Sequence, residues 1–327
     1  MREKGTRSLE GVRVLVVEPV DVKLKFLLEQ EGALVDYRPG IGREELLDVV
    51  GDYEVLVVRG KTRVDRELAS RARRLMVVAR AGSGLDNIDV EYLSNRGIAV
   101  LNSPDAVAES VAELAIGLMI AASRSIVDAS LKAKRGRWDK VVGRELYGKE
   151  LAIVGFGRIG RRVAEIAVKA FSMKVRAFDI ADLREHARRI GVDLVETLDE
   201  ALEGAEYLSI HVPLTPSTYK MIGWRELRML RPGAILVNTA RGGVVDEEAL
   251  LKALDEGLLG AAALDVLSEE PPRSAAAKKL LEHPRVIVTP HIGSSTREAQ
   301  ERAAIELAQR IKEVIAEARR GAPWVEG

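Results

Sequence analysis

The sequence predicts an α/β protein built from two domains, each with a parallel sheet covered by helices. Short apolar runs rich in β-branched residues alternate with amphipathic stretches along almost the whole chain, which is typical of such sheets. A glycine-rich turn begins at Gly155, near the middle of the chain. With 327 residues, 47% of them hydrophobic, the chain is long enough to form two separate cores.

Five strands are predicted in the first third of the chain. They occupy residues 12–17, 33–37, 55–58, 76–79 and 98–101. Amphipathic helices are predicted between them at residues 23–30, 43–50 and 66–71. Residues 104–123 are small or apolar on nearly every helical face, so we expect a helix that is buried on most sides and connects the two domains.

A second α/β series starts at Glu150. Six further strands are predicted at residues 151–154, 175–178, 207–210, 234–238, 261–264 and 286–288, followed by a helix at 295–319. We expect this last helix to pack back on the first series, so the second domain is predicted to be inserted into the first. The expected domains are residues 1–103 with 291–327, which bind the substrate, and residues 104–290, which bind a nucleotide.

The turn GFGRIG, residues 155–160, has the spacing of a dinucleotide-binding loop between a strand and a helix. In such a loop Gly155 makes the tight turn, Gly157 lets the backbone approach a pyrophosphate, and Gly160 allows close packing of the helix. Asp179 lies 19 residues beyond Gly160, where a carboxylate would bind ribose hydroxyls and repel the 2′-phosphate of NADP. The sequence therefore predicts Rossmann or flavodoxin-like domains and NAD as the cofactor.

Composition argues against several other classes of function. Fifty basic residues balance fifty acidic ones, so the net charge does not favour nucleic acid or an anionic membrane as a partner. The chain has no cysteine, which rules out disulfides and thiol catalysis, and we expect no metal site. The first apolar run is too short for a membrane span, so a cytoplasmic protein is expected. Few Asn and Gln beside many charged residues are typical of proteins from hot environments.

Polar residues follow several strands of the second series, where open parallel sheets bind their ligands. Three of them are Arg241, Glu270 and His291. A histidine beside a carboxylate suits proton transfer to or from an alcohol oxygen, and an arginine can hold a substrate carboxylate through two hydrogen bonds. His211 also ends a strand, so the residues alone leave two candidates for the acid and base.

Each of these side chains also has an ordinary structural interpretation. Arg241 could cap the C-terminus of a helix, and Glu270 could be a loop acid that precedes two prolines. A histidine at the end of a strand is more often structural than catalytic. The other two histidines, His186 and His283, are expected at surface or loop positions.

Five sequence blocks resemble the D-isomer-specific 2-hydroxyacid dehydrogenase family. They are AGSGLDNID, GFGRIG, HVPLTPSTYKMI, TARGGVVDEEALLKALDEGLLGAAALDVLSEEPP and TPHIGSSTREAQ. The resemblance implies hydride transfer between NAD and a small 2-hydroxy or 2-oxo acid, with catalytic roles for Arg241, Glu270 and His291, and it leaves His211 at the border of the cofactor. The cofactor-lining residues that it implies are Ser83, Gly155, Gly157, Arg158, Ile159, Gly160, Asp179, His211, Val212, Pro213, Thr239, Ala240, Asp265, Gly293 and Ser294.

Within the family, LDVLSEEPP and the end of the histidine block most resemble the 3-phosphoglycerate dehydrogenases. This implies oxidation of 3-phosphoglycerate to 3-phosphohydroxypyruvate, the first step of serine synthesis, by a short form without the C-terminal regulatory domain. The substrate-binding residues that it implies are Arg59, Arg80, Ser83, Gly84 and Lys140. Lys140 would be lent by a neighbouring subunit, so a homodimer or larger homo-oligomer is expected. The chain is shorter around Lys140 than in animal enzymes, which makes this match looser.

Other activities remain open. A glyoxylate or hydroxypyruvate reductase of the same family is the nearest alternative, although reductases that use NADPH usually lack the acid at Asp179. The basic residues Arg59 and Arg80 argue against a D-lactate dehydrogenase, and Glu270 argues against the family's formate enzymes. A non-catalytic, NAD-sensing interaction protein would share the same fold. All three catalytic positions are retained, which favours an enzyme.

Overall fold

The structure is a computed structural model that describes residues 8–320. The chain divides into two compact units, a first unit of Met1–Val107 with Ser295–Gly327 and a second unit of Ala108–Ser294. The divisions follow residues 107 and 294, whereas the sequence placed them after residues 103 and 290. Which unit binds which ligand stays a prediction.

The first unit contains a five-stranded parallel sheet. Its strands are β1 (Arg13–Val16), β2 (Leu34–Tyr37), β3 (Val55–Val58), β4 (Val77–Arg80) and β5 (Ala99–Asn102). Their order is β2-β1-β3-β4-β5, the flavodoxin-like order. The helices that follow these strands are α1 (Val22–Gln30), α2 (Arg43–Val49), α3 (Arg66–Arg71) and α4 (Val90–Asn95).

The helix α5 (Pro104–Ser123) continues the chain from the first unit into the second. Among the described helices it alone has the length and apolar composition to span a membrane, and 61% of its apolar stretch is buried inside the protein. That burial is typical of a core helix and agrees with its small, apolar sequence.

The second unit contains a seven-stranded parallel sheet. Its strands are β6 (Glu150–Val154), β7 (Lys174–Phe178), β8 (Asp193–Val195), β9 (Tyr207–Ile210), β10 (Ala234–Asn238), β11 (Leu259–Leu264) and β12 (Val286–Val288). Their order is β12-β11-β10-β9-β6-β7-β8. The chain turns to opposite sides of β6 when it forms β7 and β9, so the order reverses between β6 and β9.

Seven helices belong to the described part of the second unit besides α5. They are α6 (Ile126–Lys134), α7 (Arg158–Phe171), α8 (Arg184–Ile190), α9 (Leu198–Leu202), α10 (Trp224–Leu227), α11 (Glu247–Asp255) and α12 (Ala275–Glu282). The last helix, α13 (Arg297–Arg319), returns to the first unit, where its Lys312 pairs with Glu31 just after α1.

Both sheets are buried on their two faces, which explains why their strands are apolar runs without alternation. In β1, Val14 packs in a cluster with residues of α1 and α13, whereas Leu15 packs on the opposite face with residues of α2, α3 and α4. In the second unit, α5, α7 and α8 cover one face, and α9 to α12 cover the other. The α/β fold class predicted from the sequence is therefore confirmed.

Several element boundaries differ from the predicted ones. β4 and β5 each begin and end one residue later than expected, so that Arg80 and Asn102 are the last residues of strands. β8 was missed, because this three-residue strand at the edge of the sheet has only one neighbour and is partly exposed, so it carries no apolar run.

Candidate active site

The predicted site residues of the second unit follow six strands of one sheet. Because all its strands are parallel, their carboxyl ends meet at the same edge. The glycine loop follows β6 and Asp179 follows β7. His211 follows β9, Thr239 follows β10, Asp265 follows β11, and the segment with His291 follows β12. The reversal of strand order between β6 and β9 opens the crevice in which such sheets bind ligands.

The glycine loop is packed so tightly that two of its glycines cannot be replaced. Gly155 has a φ of +94°, and a methyl group on it would lie 2.7 Å from the carbonyl carbon of His211. A methyl group on Gly160 would lie 1.9 Å from the Gly155 carbonyl oxygen. Around Gly157, in contrast, nothing lies within 4 Å of that position, so the loop backbone and the start of α7 are open to a ligand.

Asp179 supports the glycine loop directly. Its carboxylate accepts a hydrogen bond from the backbone N–H of Phe156 at 2.7 Å and another from that of Ala181 at 2.9 Å. The end of β7 is thereby tied to the loop after β6. Each carboxylate oxygen retains further acceptor capacity for a ribose hydroxyl.

Two buried polar atoms at this edge have no hydrogen-bond partner among the described residues. They are Nδ1 of His211 and Oγ1 of Thr239. Unpartnered buried polar atoms are rare in proteins because each one costs free energy. Their place at the sheet edge that bears the glycine loop fits a site for a polar ligand such as a dinucleotide.

His211 is a neutral imidazole. Burial lowers its pKa from 6.5 to about 3, and its Nε2 lies 2.8 Å from the Ser209 hydroxyl. A histidine that stays neutral at pH 7 cannot supply a proton as an imidazolium. The structure thus gives a physical reason to prefer His291 as the acid and base, a choice that the residues alone left open.

His291 and Glu270 form a hydrogen-bonded pair, with Nδ1 of the imidazole 2.9 Å from Oε2 of the carboxylate. Burial raises the pKa of Glu270, but the hydrogen bond and charge of His291, the backbone N–H of Leu267 and the charge of Arg241 together outweigh this effect. The net pKa therefore lies below the usual value. Glu270 is therefore ionised at neutral pH, and Arg241 is near enough for its charge to act on it.

The backbone of His291 is unusual. Its φ of +54° lies in the left-handed region, which residues other than glycine seldom adopt. The imidazole side chain remains 44% exposed at the edge of the sheet. With Nδ1 facing Glu270, the other nitrogen, Nε2, is the one available to a substrate. Backbone strain of this kind is common at functional sites.

Buried polar side chains that sequence reasoning missed hold the loops of this site. Asn238, the last residue of β10, accepts from the backbone N–H of Ala240 and donates to the carbonyl of Arg241, both at 3.0 Å. Glu247, the first residue of α11, accepts from the backbone N–H of Ser268 at 2.8 Å, two residues before Glu270. The sequence did contain a signal for Asn238, because it is a polar residue at the end of an apolar strand.

Asp265 has a structural function besides the cofactor contact expected for it. Its carboxylate is 1% exposed and accepts from the Thr289 hydroxyl at 2.5 Å. It also accepts from the backbone N–H groups of Ile292 and Gly293 at 2.9 and 2.8 Å. These bonds hold both sides of His291. The remaining predicted residues flank these loops, with Arg158 and Ile159 at the start of α7, Val212 and Pro213 after His211, Ala240 after Thr239, and Ser294 after Gly293.

The substrate-binding residues predicted in the first unit follow two adjacent strands. Arg59 comes directly after β3 and Arg80 ends β4. The Arg80 guanidinium lies against two glycines, since methyl groups on Gly60 and Gly82 would lie 4.0 and 2.6 Å from its nitrogens. These two predicted cations therefore belong to one edge of the sheet.

The loop after β4 is held by two side chains from β5 and its end. The Ser103 hydroxyl accepts from the backbone N–H of Gly82 at 2.9 Å, and the Asn102 amide donates to the carbonyl of Ser83 at 2.6 Å. Gly84 follows in the same loop. Lys140, in contrast, is exposed in the irregular segment after α6, in the second unit.

Residues 116–293 match the sequence family described as the D-isomer specific 2-hydroxyacid dehydrogenase, NAD binding domain. The chain belongs to this family. The match lies inside the second unit and includes the glycine loop, Asp179 and all three predicted catalytic residues. It confirms the prediction of an NAD-binding domain. The glycine loop, with open space around Gly157, and the unpartnered atoms of His211 and Thr239 fit that cofactor.

Two curated members of the 2-hydroxyacid dehydrogenase family are closely similar. A D-3-phosphoglycerate dehydrogenase of Methanocaldococcus jannaschii is 46% identical over 93% of this chain and 57% of its own length. A hydroxypyruvate reductase of Thermotoga maritima is 43% identical over 91% of this chain and 97% of its own length. The chain thus spans about half the length of the phosphoglycerate dehydrogenases that it matches.

Solved structures of family members share the fold. A D-lactate dehydrogenase of Aquifex aeolicus, crystallised with NAD and lactic acid, superposes with a TM-score of 0.81. The two chains are 27% identical, and the match covers 96% of this chain and 99% of the other. The two-sheet α/β architecture is therefore that of the family.

Proposed function

We propose that this protein is an NAD-dependent dehydrogenase that oxidises 3-phosphoglycerate to 3-phosphohydroxypyruvate. The observation that carries the proposal is the His291–Glu270 pair near Arg241, at the sheet edge that also bears the dinucleotide loop. A proton-transfer pair, a carboxylate-binding cation and a nicotinamide site are the parts that oxidation of a 2-hydroxy acid requires.

In the proposed mechanism His291 moves the alcohol proton. NAD, when bound, supplies the acceptor for the hydride from the substrate carbon. Nε2 of the imidazole takes the hydroxyl proton during oxidation and returns it during reduction. Glu270 holds Nδ1–H, which fixes the tautomer and stabilises the positive charge that the ring gains. Arg241 orients the substrate by binding its carboxylate through two hydrogen bonds.

The preference for a phosphorylated substrate is assigned to Arg59 and Arg80. Arg241, committed to the carboxylate, cannot also hold a dianionic phosphate. Two guanidinium groups at one edge of the first unit's sheet are suited to that group, because arginine binds phosphate oxygens in a forked geometry. The identity of 46% with a D-3-phosphoglycerate dehydrogenase supports this assignment.

The preference for NAD over NADP is assigned to Asp179. A carboxylate at the end of β7 would accept ribose hydroxyls and repel a 2′-phosphate. Its bond to the Phe156 N–H holds it beside the glycine loop, which supports that role.

We also propose that the protein is a homodimer that uses α6 and the segment after it. None of the nine residues of α6 is buried, and a helix this short is marginal in water without packing. The apolar side chains exposed along this stretch are Ile126, Val127, Leu131, Trp138, Val141 and Val142. Such a patch is typical of an interface. Lys140 lies within it, which supports its proposed contribution to the neighbouring subunit's site.

A spectrophotometric assay tests the substrate. We expect NADH oxidation to be fastest, as kcat/KM, with 3-phosphohydroxypyruvate, in a panel that includes hydroxypyruvate, glyoxylate and pyruvate. NADPH should be the poorer reductant. A preference for hydroxypyruvate would assign the protein to the reductases, a possibility favoured by its 43% identity over nearly the full length of such an enzyme.

The variant Arg59→Ala tests how the phosphate is bound. A charge-assisted contact contributes about 1.5–3 kcal/mol, so KM for 3-phosphohydroxypyruvate should rise roughly ten- to a hundred-fold. KM for hydroxypyruvate, which lacks the phosphate, should rise much less. Equal increases for the two substrates would show that Arg59 does not bind the phosphate.

A further inference from the structure

Glu18 is a buried carboxylate that follows β1 and serves no role in the mechanism above. It is 6% exposed and accepts three backbone hydrogen bonds from a single turn. Oε1 accepts from the N–H groups of Arg59 and Thr62, each at 2.9 Å, and Oε2 accepts from that of Lys61 at 3.1 Å. Burial raises the pKa of Glu18, but these N–H groups and the Thr62 hydroxyl outweigh it, so the carboxyl is ionised at neutral pH.

The turn at residues 59–62 is held from its other side as well. The side-chain amide of Asn87 donates to the carbonyl oxygen of Arg59 at 3.0 Å and to that of Thr62 at 2.6 Å. The Arg59 guanidinium itself donates to the carbonyl of Pro19, next to Glu18, at 3.3 Å. Three amides and two carbonyls of the turn, and the Arg59 side chain, therefore make hydrogen bonds to residues outside it.

The position of Glu18 in the fold places these hydrogen bonds at the expected ligand site of the first unit. In the order β2-β1-β3-β4-β5, the strand order reverses between β1 and β3, and Glu18 and Arg59 follow these two strands. Flavodoxin-like sheets bind their ligands at this reversal. Glu18 thus lies at the expected ligand crevice of the first unit. Its negative charge is stabilised by the backbone N–H groups of the turn.

We propose that Glu18 is a positioning residue for substrate specificity, which fixes the turn at residues 59–62 so that Arg59 meets the phosphate of the substrate. The proposal rests on the proposed binding of phosphate by Arg59. Because Glu18 occupies the backbone N–H groups of Arg59, Lys61 and Thr62, those groups are not available to a phosphate. An arginine on an anchored turn loses less conformational freedom on binding than one on a mobile turn.

The experiment compares Glu18→Gln with Glu54→Gln. Glutamine has the same length as glutamate but no charge. Its NH₂ group would face the backbone N–H donors of the turn. Glu54 is the matched control, since it also accepts a backbone N–H, that of Arg13 at 2.8 Å, and pairs with Arg74, away from the turn. Thermal unfolding of both variants reports any general loss of stability.

We expect Glu18→Gln to raise KM for 3-phosphohydroxypyruvate, by no more than the roughly ten- to hundred-fold expected for Arg59→Ala. KM for hydroxypyruvate and kcat for both substrates should change much less, and Glu54→Gln should change neither KM. Added to Arg59→Ala, Glu18→Gln should raise KM no further, because the positioning acts through Arg59. If Glu18→Gln does not fold, Asn87→Ala, which releases the other side of the turn, should show the same selective rise.

Two results would overturn the proposal while the proposed function stands. One is a selective loss in Arg59→Ala with none in a folded Glu18→Gln. The other is a Glu18→Gln effect that adds fully to that of Arg59→Ala. A non-selective loss in Arg59→Ala would instead overturn the phosphate assignment, and this inference with it.

Discussion

At the scale of single residues, four buried polar side chains each support a loop of the candidate site. Glu18, Asn238, Glu247 and Asp265 each accept or donate hydrogen bonds to the backbone of a turn that carries a predicted functional residue. A buried polar group is costly unless it is bonded, so these side chains and their turns fix each other in one arrangement. The residues expected to do chemistry, in contrast, are partly exposed.

A first prediction concerns the pair formed by His291 and Glu270. Glu270→Gln should lower kcat/KM for reduction, because a neutral amide is a weaker acceptor for Nδ1–H of the imidazole than the carboxylate is. The loss should lie within the roughly hundred- to ten-thousand-fold range of acid–base catalysis. Glu269→Gln changes the neighbouring exposed acid and should leave kcat/KM unchanged. An unchanged kcat/KM in Glu270→Gln would contradict the pairing.

A second prediction concerns His211. Its pKa is about 3 in the folded protein, against 6.5 ordinarily. As pH falls below 6.5, His211 binds a proton in the unfolded chain but stays neutral in the folded protein. The contribution of His211 to stability is therefore complete above pH 6.5 and is lost by roughly 1.4 kcal/mol per pH unit down to about 3.

Denaturant unfolding of the cofactor-free protein between pH 7 and pH 4 measures this contribution. His211→Asn should show a shallower fall of the free energy of unfolding than the unmodified protein. His186→Asn changes an exposed histidine on α8. The free energy of unfolding of this variant should fall as steeply with pH as that of the unmodified protein. Parallel curves for all three proteins would mean that His211 is not the buried neutral group described above.

At the scale of elements, the glycine loop and α7 are in close backbone contact. The first turn of α7 rests on the backbone of the loop, with no room for a methyl group on Gly160. This close approach brings the N-terminus of α7 to the edge of the sheet, where helix N-termini are suited to bind anions.

A third prediction compares two helical glycines. Gly160→Ala should force α7 away from the loop, so we expect a loss of about 1–3 kcal/mol in the free energy of unfolding and a higher Kd for NAD. Gly117→Ala, in α5, meets nothing within 4 Å and should be neutral or stabilising by up to about 1 kcal/mol, because alanine favours helix. Chemical denaturation and NAD titration measure both effects. Normal NAD affinity in Gly160→Ala would show that the contact is not needed for the site.

At the scale of the whole molecule, the two units are organised alike, and each has its polar loops at the carboxyl edge of a parallel sheet. The second unit is inserted between β5 and α13 of the first. The apolar side chains of α6 and of the residues after it are exposed.

A fourth prediction concerns assembly. Leu131→Glu should convert a dimer into a monomer, since a charge in an apolar interface is strongly unfavourable without a partner. Phe26→Glu is the matched control, because Phe26 is an apolar residue, 59% exposed on α1, that does not belong to the proposed surface. Sedimentation velocity distinguishes the two states. A monomeric unmodified protein, or a dimer that survives Leu131→Glu, would rule out the proposed surface.

The sequence by itself determined the features that depend on neighbouring residues. The strands and helices follow from local periodicity, and the glycine loop follows from the spacing of Gly155, Gly157 and Gly160 between a strand and a helix. Arg241, Glu270 and His291 were predicted as site residues because they follow apolar strands, and parallel strands end at one edge. The family resemblance was needed to prefer His291 to His211. Their chemical types then indicated proton transfer and carboxylate binding.

Tertiary structure alone decided the features that depend on residues far apart in the chain. The function of Glu18 depends on a turn some 40 residues later, and that of Asp265 on a segment more than 20 residues later. The neutrality of His211 depends on how deeply the fold buries it, which no local pattern states. Burial and hydrogen bonding are properties of the folded chain, and they determine which polar residues position the site and which perform its chemistry.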